Sequence, residues 1–246
     1  MHGLGEHLPA RAARLVLLAM VVLLAGCASA TGRSGGGWIH LLSERTLSDW
    51  RESPGPAGGH WTLRADGVLR HDGVTNDLWT VREFGDFELE TEFRWPDPVH
   101  YADYPVFDAD GEERRDASGK VVTERMADAG DSGIFLRGYP KAQVNLLCYP
   151  CGSGEVWDYR TDPALPREIR RQFNPSRRAD RPPGEWNRLR VTLVGERLTV
   201  ELNGVEVIHG APLVGVPRRG PIGLQHEFGR VEFRRMRLRE LGPGGP

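Results

Sequence analysis

Residues 86–95 alternate strictly between two kinds of side chain. Even positions carry four acidic residues and one arginine, and odd positions carry Phe87, Leu89, Thr91, Phe93 and Trp95. A period of two over ten residues is typical of a β-strand with one face in a core and the other in water. Because the apolar face must be covered, the chain needs a sheet with a second layer packed on it.

A three-stranded meander is predicted over residues 187–208. Apolar and polar side chains alternate on both sides of Gly195-Glu196 and again on both sides of Asn203-Gly204. Asn-Gly is a strong hairpin signal because both turn positions adopt a positive φ. The two tight turns therefore fix an antiparallel register.

Composition excludes a long helical bundle, because 31 Gly and 18 Pro punctuate the 246 residues. The formal net charge of −2 argues against nucleic acid as a partner. The sequence predicts one short helix at 167–173 and a β-bulge at Arg234-Arg235. The chain is thus predicted to be all-β, an antiparallel two-sheet β-sandwich or jelly roll. Further strands are predicted within residues 61–69, 78–81, 134–136, 144–147, 222–224 and 230–241.

The N-terminal segment resembles a bacterial lipoprotein signal. Arg11 and Arg14 precede an apolar run at 15–24, too short to span a bilayer, and small residues lead directly to Cys27. The alternatives are an ordinary signal peptide with a chance cysteine, or a buried helix. We expect a signal peptide at 1–26, a lipidated Cys27 opening a tether at 27–37, the domain at 38–241 and a tail at 242–246.

These features predict an exported lipoprotein of the bacterial cell envelope, with the lipid membrane as a partner through acylated Cys27. In an oxidising compartment Cys148 and Cys151 could form a short local disulfide. Two free thiols are the alternative.

Two polar segments, 97–130 and 152–185, do not fit the strand pattern and are interpreted as insertions. The acidic run at 108–113 resembles the opening of a calcium loop but lacks the later ligands of one, which favours a solvated insertion.

Five polar residues are candidates for a functional site, each with a structural alternative. Gln143 and Asn145 share one face of a strand, where they could bind sugar hydroxyls or cross-link neighbouring strands. Arg137 could pair with a substrate oxygen or form a structural salt bridge. His226 could act as an acid or base, or lie on the surface. Glu155 lies in a glycine-rich segment beside aromatic residues, where it could be catalytic or simply solvated.

Seven motifs in a fixed order carry a resemblance to a known family. The sequence resembles 3-keto-disaccharide hydrolase domains over residues 38–241. The motifs are Leu47-Ser-Asp-Trp50, the segment 61–69, the segment 78–87, Asp131-Ser-Gly-Ile-Phe-Leu-Arg-Gly138, Gly184-Glu-Trp-Asn187, Leu202-Asn-Gly204 and Gly220-Pro-Ile-Gly-Leu-Gln-His226.

The resemblance implies a concanavalin-A-like jelly roll that acts on carbohydrate. It implies cleavage of 3-keto-glycosides or 3-keto-disaccharides by hydrolysis or by elimination and hydration. The alternative is a non-catalytic, lectin-like module, because Gln143 stands where many members have Glu. The sequence identifies no cofactor and leaves a divalent metal open.

The candidate roles follow from that chemistry. Glu155 or His226 would act as the base, and Arg137, with an amide or a bound cation, would stabilise the enolate. The predicted substrate-binding residues are Gln143, Asn145, Trp157, Tyr159 and Gln225.

Overall fold

The computed structural model describes residues 37–242, apart from 43–46, 54–56, 75, 97–99 and 109. All of them belong to one compact unit, Arg33–Pro246. The predicted signal peptide, Cys27, nearly all of the tether and residues 243–246 of the tail lie outside the described residues. The predicted boundaries of the domain therefore stay predictions.

Strands dominate the described residues, and helices are short. The two α-helices are α1 (Trp157–Arg160) and α2 (Arg167–Arg170), and a 3-10 turn, Arg171–Phe173, follows α2 directly. The predicted helix at 167–173 is thus confirmed in extent. The strands are β1 (Ile39–His40), β2 (Trp50–Ser53), β3 (Trp61–Leu63), β4 (Leu69–His71), β5 (Asp77–Phe84), β6 (Phe87–Arg94), β7 (His100–Pro105), β8 (Thr123–Asp128), β9 (Gly130–Leu136), β10 (Tyr139–Leu147), β11 (Asn187–Val194), β12 (Arg197–Leu202), β13 (Val205–Pro212), β14 (Gly220–Gly229) and β15 (Glu232–Glu240).

The strands form two large antiparallel sheets and one small one. The larger sheet has the order β13-β12-β11-β6-β15-β4-β3, with β1 also paired to β15. The second sheet has the order β10-β9-β14-β5-β2, and β7 pairs with β8 alone. The prediction of an all-β, concanavalin-A-like jelly roll with two antiparallel sheets is confirmed.

Alternating side chains separate the core from the outer face of the larger sheet. Phe87 and Leu89 of β6 are buried in the core cluster between the sheets. Glu90, which follows Leu89 in the alternation, lies on the other face beneath arginines of β11 and β15. Burial acts to raise the pKa of Glu90, but hydrogen bonds from Arg237 and Arg190 outweigh it and lower the pKa to about 2.

The meander forms as predicted. β11 and β12 pair in register from Leu189 opposite Leu202 to the turn at Gly195. Asn203 and Gly204 have φ values of 53° and 83°, as the tight hairpin turn requires. The predicted bulge is also present, because the register of β15 on β6 shifts after Arg234.

The order of strands in the larger sheet differs strongly from their order in the chain. β15, the last strand described, lies between β6 and β4 and contributes Phe233, Met236 and Leu238 to the core. The middle of this sheet is therefore completed by a strand that is distant in sequence from the two strands beside it.

The segment 97–130 is not the irregular insertion that we expected. β7 and β8 form a hairpin, which continues through an isolated bridge between Phe107 and Glu113. The carboxylates at its tip are engaged within the protein. Asp110 pairs with Arg167 at 2.7 Å and Glu112 pairs with Arg170 at 2.9 Å, so the hairpin packs against the second insertion.

No helix of the described residues is long and apolar enough to cross a membrane. Cys148 and Cys151 are both free thiols, which is the second of the two alternatives. Burial raises the pKa of Cys148 to about 11 and that of Cys151 further, so neither thiol is ionised near neutral pH.

Candidate active site

A cavity of about 370 Å³ lies on the side of the five-stranded sheet that faces away from the core. This is the scale of a small-molecule site. Strands β9, β10 and β14 and the segment that follows β10 supply its walls. The residues around it are Asp131, Lys141, Gln143, Asn145, Leu147, Tyr149, Glu155, Trp157, Asp158, Gln225 and Glu227.

Strand β10 divides its side chains between the core and the cavity, as its sequence predicts. Val144 and Leu146 are buried in the core cluster, whereas Gln143 and Asn145 line the cavity. Gln143 lies across Gly133 of β9, where a Cβ atom would come within 2.6 Å of the Gln143 side chain. The buried Nε2 of Gln143 has no hydrogen-bond partner among the described residues, so it is a free donor at the cavity.

Glu155 reaches the cavity because the chain after β10 turns back onto that strand. The Asn145 N–H donates to the Glu155 carbonyl oxygen at 2.8 Å, and the Gly154 N–H donates to the Asn145 carbonyl oxygen at 2.8 Å. The Glu155 side chain is completely buried, and burial raises its pKa. Arg160 and the Asn145 side chain act in the opposite direction by favouring the charged form.

Arg160 is the buried partner of Glu155. Its Nε donates to Glu155 Oε1, and its Nη1 donates to the Gly111 carbonyl oxygen of the β7–β8 hairpin. The guanidinium carbon lies 4.3 Å from the centre of the Phe107 ring and 4.7 Å from that of Trp157. Glu155 Oε2 is buried in the cavity wall and makes no hydrogen bond among the described residues, so it is an unpaired acceptor.

Asp131 lines the cavity but was not among the candidates from the sequence, and the same holds for Lys141, Tyr149, Asp158 and Glu227. Asp131 lies on β9 between Leu147 of β10 and Phe228 of β14. Burial raises its pKa to about 7, and the nearby charges of Glu227 and Glu155 act in the same direction. The sequence feature that could have identified Asp131 is its place at the start of the Asp131-Ser-Gly motif, which was taken only as part of the family resemblance.

Trp157 and Gln225 also line the cavity, as predicted for substrate-binding residues. Trp157 is 45% exposed and presents one face of its ring above Arg160. An exposed indole beside amide groups is suited to stacking on a sugar ring. The binding roles of these residues stay predictions.

His226 does not lie at the cavity, which corrects the sequence-based expectation. Ile222, Leu224 and His226 point from β14 into the core, and His226 is 1% exposed. Its ring stacks on that of His71 from the other sheet, with centroids 3.5 Å apart. Its Nε2 lies 2.5 Å from the Gly229 carbonyl oxygen. A side chain between the two sheets cannot reach a substrate in the cavity.

Arg137 is also a structural residue rather than a catalytic one. It is 2% exposed and binds Asp86 Oδ1 at 2.8 Å through Nη2. Its Nε donates to the Gly85 carbonyl oxygen, and its Nη1 donates to those of Gly195 and Pro217. Its N–H groups thus connect three turns, and all three lie away from the cavity. Arg137 therefore has the structural role that was the alternative to binding a substrate oxygen.

Tyr159 belongs to the core as well, so the expectation that it binds substrate is corrected. It packs against Phe173 with ring centroids 4.8 Å apart, and its hydroxyl donates to the Val214 carbonyl oxygen at 2.7 Å. No group of three or more His, Cys, Asp or Glu side chains in the described residues is arranged to hold a metal ion.

Residues 37–239 match the model of a protein family described as the 3-keto-alpha-glucoside-1,2-lyase-like domain. The chain belongs to this family. The sequence resemblance to 3-keto-disaccharide hydrolase domains is thereby confirmed, and membership makes this a carbohydrate-active type of protein. No curated protein matches the chain.

Two solved structures of candidate glycosyl hydrolases from Parabacteroides distasonis ATCC 8503 resemble the fold. Their TM-scores are 0.57 and 0.56, at 17% and 19% sequence identity. Each alignment covers 84% of this chain, and they cover 94% and 100% of the respective solved chains. At this identity the likeness concerns the fold alone.

Proposed function

We propose that the protein cleaves 3-keto-glycosides by elimination followed by hydration, with Asp131 as the base. The observation that carries the proposal is the raised pKa of Asp131, about 7, in a cavity that also holds a free amide donor. A general base is most effective when its pKa lies near the working pH. Family membership supplies the substrate class that we propose.

A ketone at C3 makes the chemistry accessible to a carboxylate base. Asp131 removes the C2 proton, and the electron pair of the C–H bond forms an enolate whose charge lies on the C3 oxygen. Gln143 Nε2, which has no hydrogen-bond partner among the residues that the structure describes, donates a hydrogen bond to that oxygen. The enolate then collapses, the bond from C1 to the leaving oxygen breaks, and the departing group takes up a proton.

The product of elimination is an enone with a C1–C2 double bond. Water adds its oxygen to C1 and a proton to C2, which restores the 3-keto sugar. The sum of the two steps is hydrolysis, and stopping after the first gives a lyase. Glu155, positioned by Arg160, accepts a hydrogen bond from a substrate hydroxyl at Oε2. Trp157 stacks on the sugar ring.

The test is release of p-nitrophenol from p-nitrophenyl 3-keto-α-glucoside by the purified full-length protein. We expect kcat/KM to rise with pH through about 7, since the base must be ionised. Asp131→Asn should lower kcat at least a hundredfold. Asp103→Asn, an exposed aspartate on the β7–β8 hairpin, is the matched control and should retain activity. Equal activity of the two variants would contradict the assignment of Asp131 as the base.

A lectin-like module is the second candidate function. The exposed Trp157 ring and the amides Gln143 and Asn145 form a surface that could bind sugar without chemistry. Saturable binding of the same glycoside with no p-nitrophenol released, with or without added divalent metal, would favour this reading.

We further propose that the protein is an exported lipoprotein. The support is the sequence alone, from the apolar run at 15–24 to Cys27. An acylated Cys27 and a tether would hold the domain at the envelope membrane while leaving the cavity open to soluble glycosides.

A further inference from the structure

Arg160 has contacts that reach beyond a single ion pair. We propose that Arg160 is the positioning residue of the site: it fixes the Glu155 carboxyl group in the cavity wall, and the β7–β8 hairpin in turn holds Arg160. The inference rests on the proposed function, because it assigns a role in the same cavity.

The geometry around Arg160 leaves its guanidinium little freedom. Phe107 and Trp157 both contact the guanidinium, and cation–π contacts gain strength when they are desolvated. Gly111 allows the close approach of its carbonyl group, because a Cβ atom there would lie 2.9 Å from Arg160 Cδ. Arg160 itself is 3% exposed, so its position is set by the protein rather than by solvent.

The guanidinium group of Arg160 donates hydrogen bonds to both insertions. Nε reaches Glu155, in the segment after β10, and Nη1 reaches Gly111, at the tip of the hairpin. Because one planar group makes both bonds, a shift of the hairpin moves Glu155. The hairpin, which the sequence suggested was only a solvated insertion, is therefore part of the structure that shapes the site.

Arg160 also influences the ionisation of its neighbours. Asp131 faces the carboxylates of Glu227, Glu155 and Asp128, and all three raise its pKa in addition to burial. Glu155 faces Arg160 and Asn145, which favour its charged form. Without Arg160, the pKa of Glu155 would rise further, and the negative charge beside Asp131 would be weakened. The pKa of Asp131 would then fall.

The experiment compares Arg160→Met with Arg197→Met in the full-length protein. Arg197 is the control, because it is an exposed arginine of β12 whose Nη1 donates to the Gly210 carbonyl oxygen and not to a group of the hairpin. With p-nitrophenyl 3-keto-α-glucoside, Arg160→Met should lower kcat at least tenfold and move the acidic limb of kcat/KM to lower pH. Arg197→Met should leave both unchanged. An Arg160→Met profile that matches the control would overturn the proposal.

Arg160→Lys separates charge from geometry and covers the case in which Arg160→Met fails to fold. Lysine keeps the positive charge but cannot make both bonds at once. We expect the acidic limb to stay in place while kcat falls at least fivefold. Wild-type kcat in Arg160→Lys would contradict a positioning role.

A measurement without substrate keeps the inference distinct from the proposed reaction. Carboxyl ¹³C NMR follows the titration of Asp131 in the wild type and in Arg160→Met. If the wild type releases no p-nitrophenol, the proposed function fails, yet a lower titration midpoint in Arg160→Met still supports the role of Arg160. An unchanged midpoint would refute it.

Discussion

His71 is a buried histidine whose protonation is unfavourable, and its ring stacks on that of His226. Gly73 N–H donates to His71 Nδ1, which leaves the proton of neutral His71 on Nε2, and that buried atom has no partner among the described residues. Burial lowers the pKa of His71 to about 4, and His226 acts in the same direction. His60 lowers it further, whereas Asp72 and Glu52 oppose the shift.

We predict that this pair makes the fold sensitive to mild acid. A histidine with a pKa of 6.5 in the unfolded chain and about 4 in the folded one binds its proton more readily when unfolded. Its contribution is complete above pH 6.5 and is lost as the pH falls toward 4. The loss is on the order of 3 kcal/mol at 1.36 kcal/mol per pKa unit. Urea unfolding at pH 7.5 and 4.5 measures it.

The comparison needs a variant because Asp131 acts in the opposite sense. Its raised folded pKa stabilises the fold as the pH falls below 7. His71→Phe keeps an aromatic ring beside His226 and should be destabilised less by the change to pH 4.5 than the wild type. His209→Phe, an exposed site, is the control. Identical pH dependence in all three proteins would rule out the histidine pair as the cause.

The sequence predicted part of the candidate site because alternation along a strand predicts which side chains share a face. Gln143 and Asn145 were placed together in this way, and the structure has them at one cavity. The same rule places His226 on the face of β14 that carries Ile222 and Leu224, so its position in the core was also predictable. Asp131 was missed because its raised pKa depends on burial and on Glu227 and Glu155, which are distant in sequence.

At the scale of elements, a glycine in one strand makes room for a side chain of the next. Gly133 of β9 lies beneath Gln143 of β10, and Gly223 of β14 lies beneath Trp79 of β5 in the same manner. Long side chains can therefore lie flat on the five-stranded sheet. The outward surface of this sheet can therefore form the base of a ligand-binding site, because its long side chains lie along the sheet and do not project from it.

Gly133→Ala should displace Gln143 and reduce activity more than stability. The added Cβ would lie 2.6 Å from Gln143 Nε2, the free donor that we assign to the C3 oxygen. We expect kcat to fall about tenfold, while the flexible amide moves aside and limits the loss in the free energy of unfolding to about 1–2 kcal/mol. Kinetics and urea unfolding of the same sample check both quantities.

Gly37→Ala is the control, because a Cβ atom there meets nothing within 4 Å. If Gly133→Ala retained full kcat, Gln143 could not be the donor in the reaction.

Most strands were predictable because one face of each is apolar and the other polar. The β7–β8 hairpin was not, since its strands carry few buried side chains and therefore lack the alternation. Its structure depends on contacts with the second insertion, such as those of Asp110 and Glu112. Contacts between segments that are distant in sequence produce no local sequence pattern from which a strand could be predicted.

At the scale of the whole molecule, the proposed lipid anchor and the domain would have separate tasks. If the lipoprotein prediction is correct, mass spectrometry of the membrane fraction will find a mature N-terminus at Cys27 bearing acyl chains. Cys27→Ser should release the protein from that fraction without changing the activity of the domain, because the cavity lies within residues 131–227. An unmodified N-terminus at another residue would disprove the lipid anchor.

The central place of β15 determines when the chain can fold. A nascent polypeptide that has produced β6 and β4 still lacks the strand that fits between them, and their edges stay open until residues 232–240 have been made. Pairing so distant in sequence is slow to form. Synthesis will thus run ahead of folding, and a translocation channel that accepts only unfolded polypeptide would meet this domain in the state it requires.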